Sequence, residues 1–91
     1  MKYRCRTAER FWMHFYRLSP AQKDAARKAW SIFRENPFDP RLRPHKIQRL
    51  SALYGRAIHA VEVGPDLRVV FFIEGDTAWS VDIGTHDVYC G

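Results

Sequence analysis

Five polar residues in the last third of the chain break the simple alternation of apolar and polar positions expected in strands. His59 lies inside a candidate strand, Asp66 and Arg68 open the next one, and His86 and Tyr89 follow the last one. If these strands pair as a meander, adjacent strand ends approach one another, so we expect His59, Arg68, His86 and Tyr89 to meet at one end of a sheet.

This set of residue types suits cleavage of a phosphodiester by acid and base. A histidine can take the proton of a ribose 2′-hydroxyl, a second acid can protonate the leaving 5′-oxygen, and an arginine can stabilise charge on the phosphoryl oxygens. Each residue also has a common structural role, since a strand histidine is most often a packed core residue and Asp87 is equally suited to capping the last turn. The chemistry therefore depends on whether the residues come together.

A metal site is the competing interpretation, because His45, His59, His86 and Asp87 are all ligand types. Their spacing matches no compact zinc pattern, and H-E-x-x-H is absent. The chain also lacks the glycine-rich signatures G-x-x-x-x-G-K-[ST] and G-x-G-x-x-G. We expect no metal and no small-molecule cofactor.

The 91 residues carry a net charge of +5, which is unevenly distributed. Through Arg56, 14 Lys and Arg against 4 Asp and Glu give +10, whereas residues 57–91 give −5 with Arg68 as their one cation. Of the 15 cations 11 are arginine, whose planar guanidinium matches phosphate oxygens in a bidentate manner. A polyanionic partner is indicated, although cations also simply solvate helix surfaces.

The sequence contains no apolar run of about 18 residues and no cationic start followed by an apolar segment. We therefore expect a cytoplasmic protein without a membrane partner. Cys5 and Cys90 lie near opposite ends of the chain, and in a reducing compartment two free thiols are expected.

Two helices are predicted in the first 36 residues. Apolar positions repeat at helical spacing over residues 8–18, with Thr7 as a candidate N-cap. Ser19, Pro20 and Gln22 then form the start signal of a second helix, which ends at Asn36 because the next residue is a proline. The short link predicts an antiparallel helical hairpin.

The rest of the chain is predicted to form a sheet. A proline-rich connector over residues 37–44 is expected to be mostly extended, and four candidate strands follow it, over residues 45–50, 54–63, 67–74 and 77–83. The continuously apolar residues 69–73 indicate a central strand covered on both faces. The prediction is one α+β domain, residues 1–91: an N-terminal helical hairpin packed on a twisted antiparallel sheet of about four strands, with residues 2–6 as a candidate short edge strand.

The order of these elements and several short motifs resemble the RelE/ParE superfamily of toxins from type II toxin–antitoxin systems. The resemblance covers nearly the whole chain, and the most specific part is the C-terminal block after a Gly-Asp hairpin. It runs through residues 18–20, 36–37, 42–47, 64–71, 74–76 and 82–89. It implies a ribosome-dependent mRNA endonuclease that inhibits translation, binds RNA on the sheet face opposite the helices, and is neutralised by a cognate antitoxin protein.

The resemblance also implies roles for individual residues. His86 corresponds to the general acid or base of family members with a histidine in the C-terminal block, and Arg68 to the strand arginine that holds the scissile phosphate. Tyr89 resembles the C-terminal aromatic that stacks on a base or takes part in proton transfer. Lys46, with His45 beside it, resembles the basic or histidine position on the first strand after the connector.

His59 and Asp66 resemble the histidine and aspartate of the YafQ-like branch that support cleavage, although the spacing differs by two residues. The cationic N-terminal portion is expected to bind ribosomal RNA through its phosphates. The candidate contacts are Lys23, Arg27, Lys28, Arg41, Arg43, His45 and Arg49.

Two other functions remain open at this point. The ParE branch of the superfamily inhibits DNA gyrase without nuclease chemistry, and an RNA-binding module without cleavage has the same charge distribution. Because one fold serves several functions, the choice between them depends on the site.

Overall fold

The computed structural model describes residues 3–85 and 88. Their elements follow in the order β1 (Arg4–Thr7), α1 (Glu9–Phe15), α2 (Pro20–Glu35), a 3₁₀ turn (Pro40–Leu42), β2 (His45–Lys46), α3 (Gln48–Tyr54), β3 (His59–Gly64), β4 (Leu67–Glu74) and β5 (Thr77–Gly84). The α+β class predicted from the sequence is confirmed.

The predicted helical hairpin is formed by α1 and α2. Ser19 caps α2 through a reciprocal pair of hydrogen bonds: its hydroxyl accepts from the backbone N–H of Gln22 at 3.2 Å, and the Gln22 side chain accepts from the backbone N–H of Ser19 at 3.0 Å. This arrangement satisfies two N–H groups that a helix start leaves unpaired. The helix ends at Asn36, before buried Pro37, as predicted.

The predicted start of α1 is wrong by one residue. Thr7 is the last residue of β1 and pairs with Ser80, while the backbone N–H of Ala8 donates to the Ser80 carbonyl at 2.9 Å. Ala8 is therefore the N-cap, and it makes no side-chain cap hydrogen bond. Thr7 belongs to the ladder with β5, so the helix begins one residue later than predicted.

The sheet has the strand order β1-β5-β4-β3-β2. The pairs among β2, β3, β4 and β5 are antiparallel, as predicted, and the short edge strand β1 pairs with β5 in parallel. The parallel pair is possible because α1 and the rest of the chain intervene between β1 and β5. The sheet is therefore mixed and has five strands.

The structure corrects the assignment of residues 45–63. Only His45 and Lys46 of the predicted strand 45–50 form a strand, and a third helix, α3, occupies Gln48–Tyr54. Ser51 fixes this helix, because its hydroxyl donates to the Ile47 carbonyl at 2.8 Å and accepts from the Ile58 N–H at 2.8 Å. Gly55 ends the helix at φ 68°, a left-handed conformation that glycine adopts without steric cost. β3 therefore begins at His59 rather than at residue 54.

The connector also departs from its expected extended form. Pro40–Leu42 make a 3₁₀ turn, in which the Asp39 side chain accepts a hydrogen bond from the backbone N–H of Arg41 at 2.9 Å. The turn buries Leu42 in the main core. Burial of the Leu42 side chain stabilises this turn relative to an extended connector.

The two faces of the sheet differ in what covers them. The hairpin face carries Val69 and Phe71 of β4 and packs on the helices, with Phe33 of α2 in edge-to-face contact with Phe71 at 5.1 Å. The open face carries Arg68, Val70 and Phe72 of β4, and only Val70 is fully covered there, by the small cluster that includes Leu50 and Ile58. The central strand, β4, is therefore covered on both faces only near its middle.

No helix within residues 3–85 is long and apolar enough to cross a membrane. The Cys5 thiol is free and half-buried, and burial raises its pKa, which makes it a poor nucleophile. Cys90 lies outside the described residues.

Candidate functional site

Arg68 stands at the start of β4 on the open face. Its strand neighbours are Glu62 on β3 and Gly84 on β5, so it sits in the middle of the sheet. One guanidinium nitrogen donates to the Leu67 carbonyl at 3.3 Å, and another lies 3.9 Å from a Glu62 oxygen, which is too long for a hydrogen bond. Because a guanidinium has five N–H donors, Arg68 retains donors for an anion.

A row of alternating cations and aromatic rings crosses the same face, and we call it the cation–aromatic row. The Arg6 guanidinium lies 5.8 Å from the Trp79 ring centre, Trp79 stacks on Phe72 at 6.3 Å, and the Arg56 guanidinium lies 4.3 Å from the Phe72 ring centre. Arg6, Trp79 and Phe72 are cross-strand partners on β1, β5 and β4. Aromatic faces and arginine planes are the groups on which nucleic-acid bases stack.

A hollow of about 240 Å³ lies beside one end of this row. It is largely apolar and is lined by Tyr54, Arg56, Ile58, Val70, Phe72 and Val81. The sequence analysis identified neither the row nor the hollow. The turn between Glu74 and Thr77 aligns Phe72 with Trp79, but the two arginines of the row come from elsewhere in the chain, from β1 and from the segment after α3.

His59 lies on the hairpin face, not with Arg68. Its ring makes an edge-to-face contact with Phe38 at 5.1 Å and lies 5.6 Å from Phe71. Burial lowers the pKa of His59, and the nearby charges of Lys46 and His45 lower it further. The expected meeting of His59 and Arg68 does not occur, because strand pairing places them on opposite faces of the sheet.

Neither Asp66 nor Lys46 is hydrogen-bonded to Arg68 among the described residues. Asp66 occupies the exposed turn between β3 and β4 at φ 53°, a conformation that aspartate tolerates better than most residues. Lys46 lies on the exposed edge strand β2, opposite His59, whereas His45 pairs with Ala60. No hydrogen bond or ion pair within the described part of the chain joins Arg68 to Asp66, His59 or Lys46.

His86, Asp87 and Tyr89 lie outside the described residues. Of the C-terminal block, Thr85 and Val88 are described, and Val88 packs so closely on Gly84 that a Cβ at Gly84 would meet its Cγ1 at 2.7 Å. Gly84 therefore has a steric reason to lack a side chain.

The candidate ribosome contacts do not share one element. Lys23, Arg27 and Lys28 lie on α2, with the last two exposed, whereas the other four lie on the connector, β2 and α3. Asp39 holds the Arg41 guanidinium with hydrogen bonds of 3.1 and 2.9 Å, and this contact lowers the pKa of Asp39. Arg43, at φ 49°, His45 and Arg49 are exposed.

Part of the uneven charge is neutralised by ion pairs within the fold. Among the described residues, three arginine–carboxylate ion pairs join the cationic N-terminal portion to the acidic C-terminal portion: Arg4–Asp76 at 3.4 Å, Arg10–Asp82 at 3.1 Å and Arg56–Glu74 at 3.4 Å. The charge asymmetry therefore does not map onto two separate surfaces.

Among residues 3–85 and 88, no group of three or more His, Cys, Asp or Glu side chains is arranged to hold a metal ion. Among the described residues, the groups that the open face offers include arginine, glutamate and aromatic side chains.

Among known proteins, solved structures share this fold. No family model matches the sequence, and no curated protein matches it significantly. Among solved structures, a chain of the archaeal RelE–RelB complex from Pyrococcus horikoshii superposes with a TM-score of 0.71 at 15% identity, covering 93% of this chain and 96% of that one. A copper-bound mutant toxin from Helicobacter pylori superposes with a TM-score of 0.63 at 14% identity, covering 94% and 97%. The chain has the RelE-like toxin fold.

Proposed function

We propose that this protein is the toxin of a type II toxin–antitoxin system and acts as a ribosome-dependent mRNA endonuclease. The observation that supports this most directly is Arg68, which lies centrally on the open face with unused N–H donors, on the same face as the cation–aromatic row. The RelE-like fold supports the toxin assignment, because both structural neighbours are toxins or toxin complexes.

The proposed reaction needs no metal. The 2′-oxygen of one ribose forms a bond to phosphorus while the bond from phosphorus to the 5′-oxygen of the next nucleotide breaks. The products are a 2′,3′-cyclic phosphate and a 5′-hydroxyl. Arg68 binds the scissile phosphate and stabilises the charge on its oxygens, and His86 transfers a proton as general acid or base.

The remaining candidate residues take supporting roles in this proposal. Tyr89 stacks on a base, and Lys46 with His45 neutralises a backbone phosphate at the sheet edge. Asp66 shapes the turn that precedes Arg68. We assign His59 to packing against the connector, because its ring contacts are with Phe38 and Phe71.

The proposed partners are the ribosome, mRNA and an antitoxin. The cations on α2, the connector and α3 would bind ribosomal RNA, and the ribosome would orient the mRNA on the open face. Such orientation lowers a barrier by several kcal/mol, which predicts slow cleavage of free RNA. The neighbour that is a RelE–RelB complex supports a cognate antitoxin that covers exposed apolar or cationic surface.

Primer extension on mRNA from cells expressing the protein tests this function. The wild type should produce new 5′ ends within translated codons, and His86→Ala should remove them, since one general acid or base contributes about 10²–10⁴ in rate. Ser31→Ala, an exposed and uncharged position on α2 outside the proposed site, is the matched control and should cut like the wild type. Growth inhibition with intact mRNA and impaired DNA supercoiling would instead indicate a gyrase inhibitor.

A further inference from the structure

A carboxylate, a histidine and an arginine come together where α1 meets the end of β5. The Asp82 side chain is only 10% exposed. It forms an ion pair with Arg10, whose Nε lies 3.1 Å from Oδ2. Its Oδ1 accepts from the backbone N–H of Ile83 at 2.9 Å and lies 2.5 Å from Nδ1 of His14. A buried carboxylate with this many partners is held rigidly.

The same cluster lines a groove of about 370 Å³. Arg10, His14 and Arg17 follow one another along α1 at spacings of four and three residues, so they form one stripe on the helix. The wall opposite this stripe comes from the end of β5 and the residues after it, namely Gly84, Thr85 and Val88. A volume of this size is in the range of small-ligand sites.

The contact with Asp82 determines which nitrogen of His14 faces the groove. Because Nδ1 is engaged by the carboxylate, the ring is oriented and its other nitrogen, Nε2, is left for another partner. No residue in the described part of the chain hydrogen-bonds to Nε2, and the His14 side chain is 34% exposed. This arrangement of carboxylate, imidazole and open nitrogen is that of an oriented general base.

The groove reaches the sheet position of Arg68. Gly84, which lines the groove, is the strand partner of Arg68 on β5. Directly paired residues on antiparallel strands have Cα atoms about 4.5–5.5 Å apart. A polynucleotide phosphate bound by Arg68 would therefore lie one strand away from the groove that holds His14.

We propose that His14, oriented by Asp82, takes the 2′-hydroxyl proton of an RNA bound in this groove, where Arg10 and Arg17 bind its phosphates. This inference rests on the proposed nuclease function and assigns the two proton transfers. Nε2 of His14 receives the proton as the 2′-oxygen bonds to phosphorus, and His86 supplies a proton to the departing 5′-oxygen. Protons balance within each turnover once water restores both histidines.

The competing role for this cluster is structural, because the same contacts tie α1 to β5. His14→Asn separates the two roles, since the asparagine amide can replace Nδ1 as a partner of Asp82 but offers no counterpart of Nε2. On translating ribosomes, this variant should cleave mRNA about 10²–10⁴-fold more slowly while its thermal unfolding midpoint stays at the wild-type value.

The pH profile gives a readout that a structural role would not produce. A limb of the wild-type pH–rate profile should be missing from the residual activity of His14→Asn. The charged groups that face His14 are Arg10 and Arg17 on α1 and Asp82 on β5. Cleavage by His14→Asn at the wild-type rate would overturn the inference and leave the nuclease function intact.

A binding measurement keeps the inference testable without cleavage. A 2′-O-methyl oligoribonucleotide lacks the attacking hydroxyl, so it should bind without reaction and shift the Nε2 resonance of His14 in nitrogen NMR spectra. Arg17→Ala should weaken this binding. An unshifted Nε2 at saturating oligonucleotide overturns the site. If the wild type fails to cut mRNA on ribosomes, the proposed function fails, and the Nε2 shift alone then decides whether the groove is a phosphate site.

Discussion

The two faces of the sheet use similar residue types for different purposes. On the hairpin face, Phe33 and Phe71 contact each other and are fully buried, and the half-buried His59 packs on Phe71. On the open face, Trp79 and Phe72 also stack, but their outer partners are arginines and part of each ring stays accessible. Aromatic rings therefore build the core on one face and offer a surface for bases on the other.

The contrast shows that residue type alone does not locate the chemistry. His59 has a side chain suited to catalysis, but it is packed against other rings. Its partner on β4 is Phe71, and Arg68 lies three residues before Phe71, so the two side chains are on opposite faces of the sheet. Alternation along a strand decides which face a side chain occupies. A one-residue shift in the pairing of β3 with β4 would have placed both side chains on the same face.

The largest effect on stability is expected from the hairpin face. Phe33 is 1% exposed and contacts both Phe71 and Trp30, so Phe33→Ala should lower the free energy of unfolding by about 3–5 kcal/mol through lost burial and a cavity. Urea denaturation measures this loss. Phe72→Ala on the open face is the matched control, and an equal loss there would remove the distinction between the faces.

The next largest effect is expected at Arg68 and concerns activity. Arg68→Ala should reduce mRNA cleavage on ribosomes about 10²–10³-fold, the range for loss of one group that stabilises transition-state charge. The unfolding midpoint should change little, because the ion pair with Glu62 is long and partly exposed. A rate loss that merely follows a loss of folded protein would show that Arg68 is structural.

A smaller effect is expected from the cation–aromatic row. Trp79→Ala should weaken binding of a non-cleavable single-stranded RNA by about 1–3 kcal/mol, the usual contribution of one base stacked on an aromatic ring. Fluorescence anisotropy with a labelled oligonucleotide measures the change. Trp30→Phe, on the hairpin side, is the control, and its RNA affinity should match that of the wild type. Unchanged affinity in Trp79→Ala would exclude the row as a base-binding surface.

The smallest effect is the pH dependence contributed by His59. Burial lowers its pKa in the folded protein, so the unfolded chain binds more protons between the two pKa values and stability rises with pH. The contribution is complete above the unfolded value of about 6.5 and is lost as pH falls. Urea midpoints at pH 5.5 and 7.5 should differ less in His59→Phe than in the wild type. Equal differences in both proteins would show that the ring titrates as it does in water.

Much of the fold was predictable because its signals are local. The capping box at Ser19 and the end of α2 before Pro37 are formed by neighbouring residues, and the turns that separate β3, β4 and β5 were marked by glycine and aspartate. The helix α3 was missed because its evidence is not local. Ser51 stabilises it by bonding to Ile58 seven residues away, and Leu50 gains burial only against Val70 of β4.

The candidate site was less predictable than the fold. Arg68 stood out as the single cation of its region, but the stacking of Phe72 on Trp79 on the same face depends on strand pairing. The contact of His14 with Asp82 joins residues 68 positions apart, and the sequence analysis placed His14 among the residues of an ordinary helix. Long-range pairing of polar side chains leaves no spacing in the sequence to detect.

The most direct test of the central claim, that the open face carries the chemistry, is the mapping of 5′ ends in a reconstituted translation system. Arg68→Ala and His59→Phe form the decisive pair, since one variant alters each face. We predict 5′-hydroxyl ends within codons for the wild type and for His59→Phe at similar rates, and about 10²–10³-fold fewer for Arg68→Ala. Full cleavage by Arg68→Ala, together with loss of cleavage in a folded His59→Phe, would contradict the account.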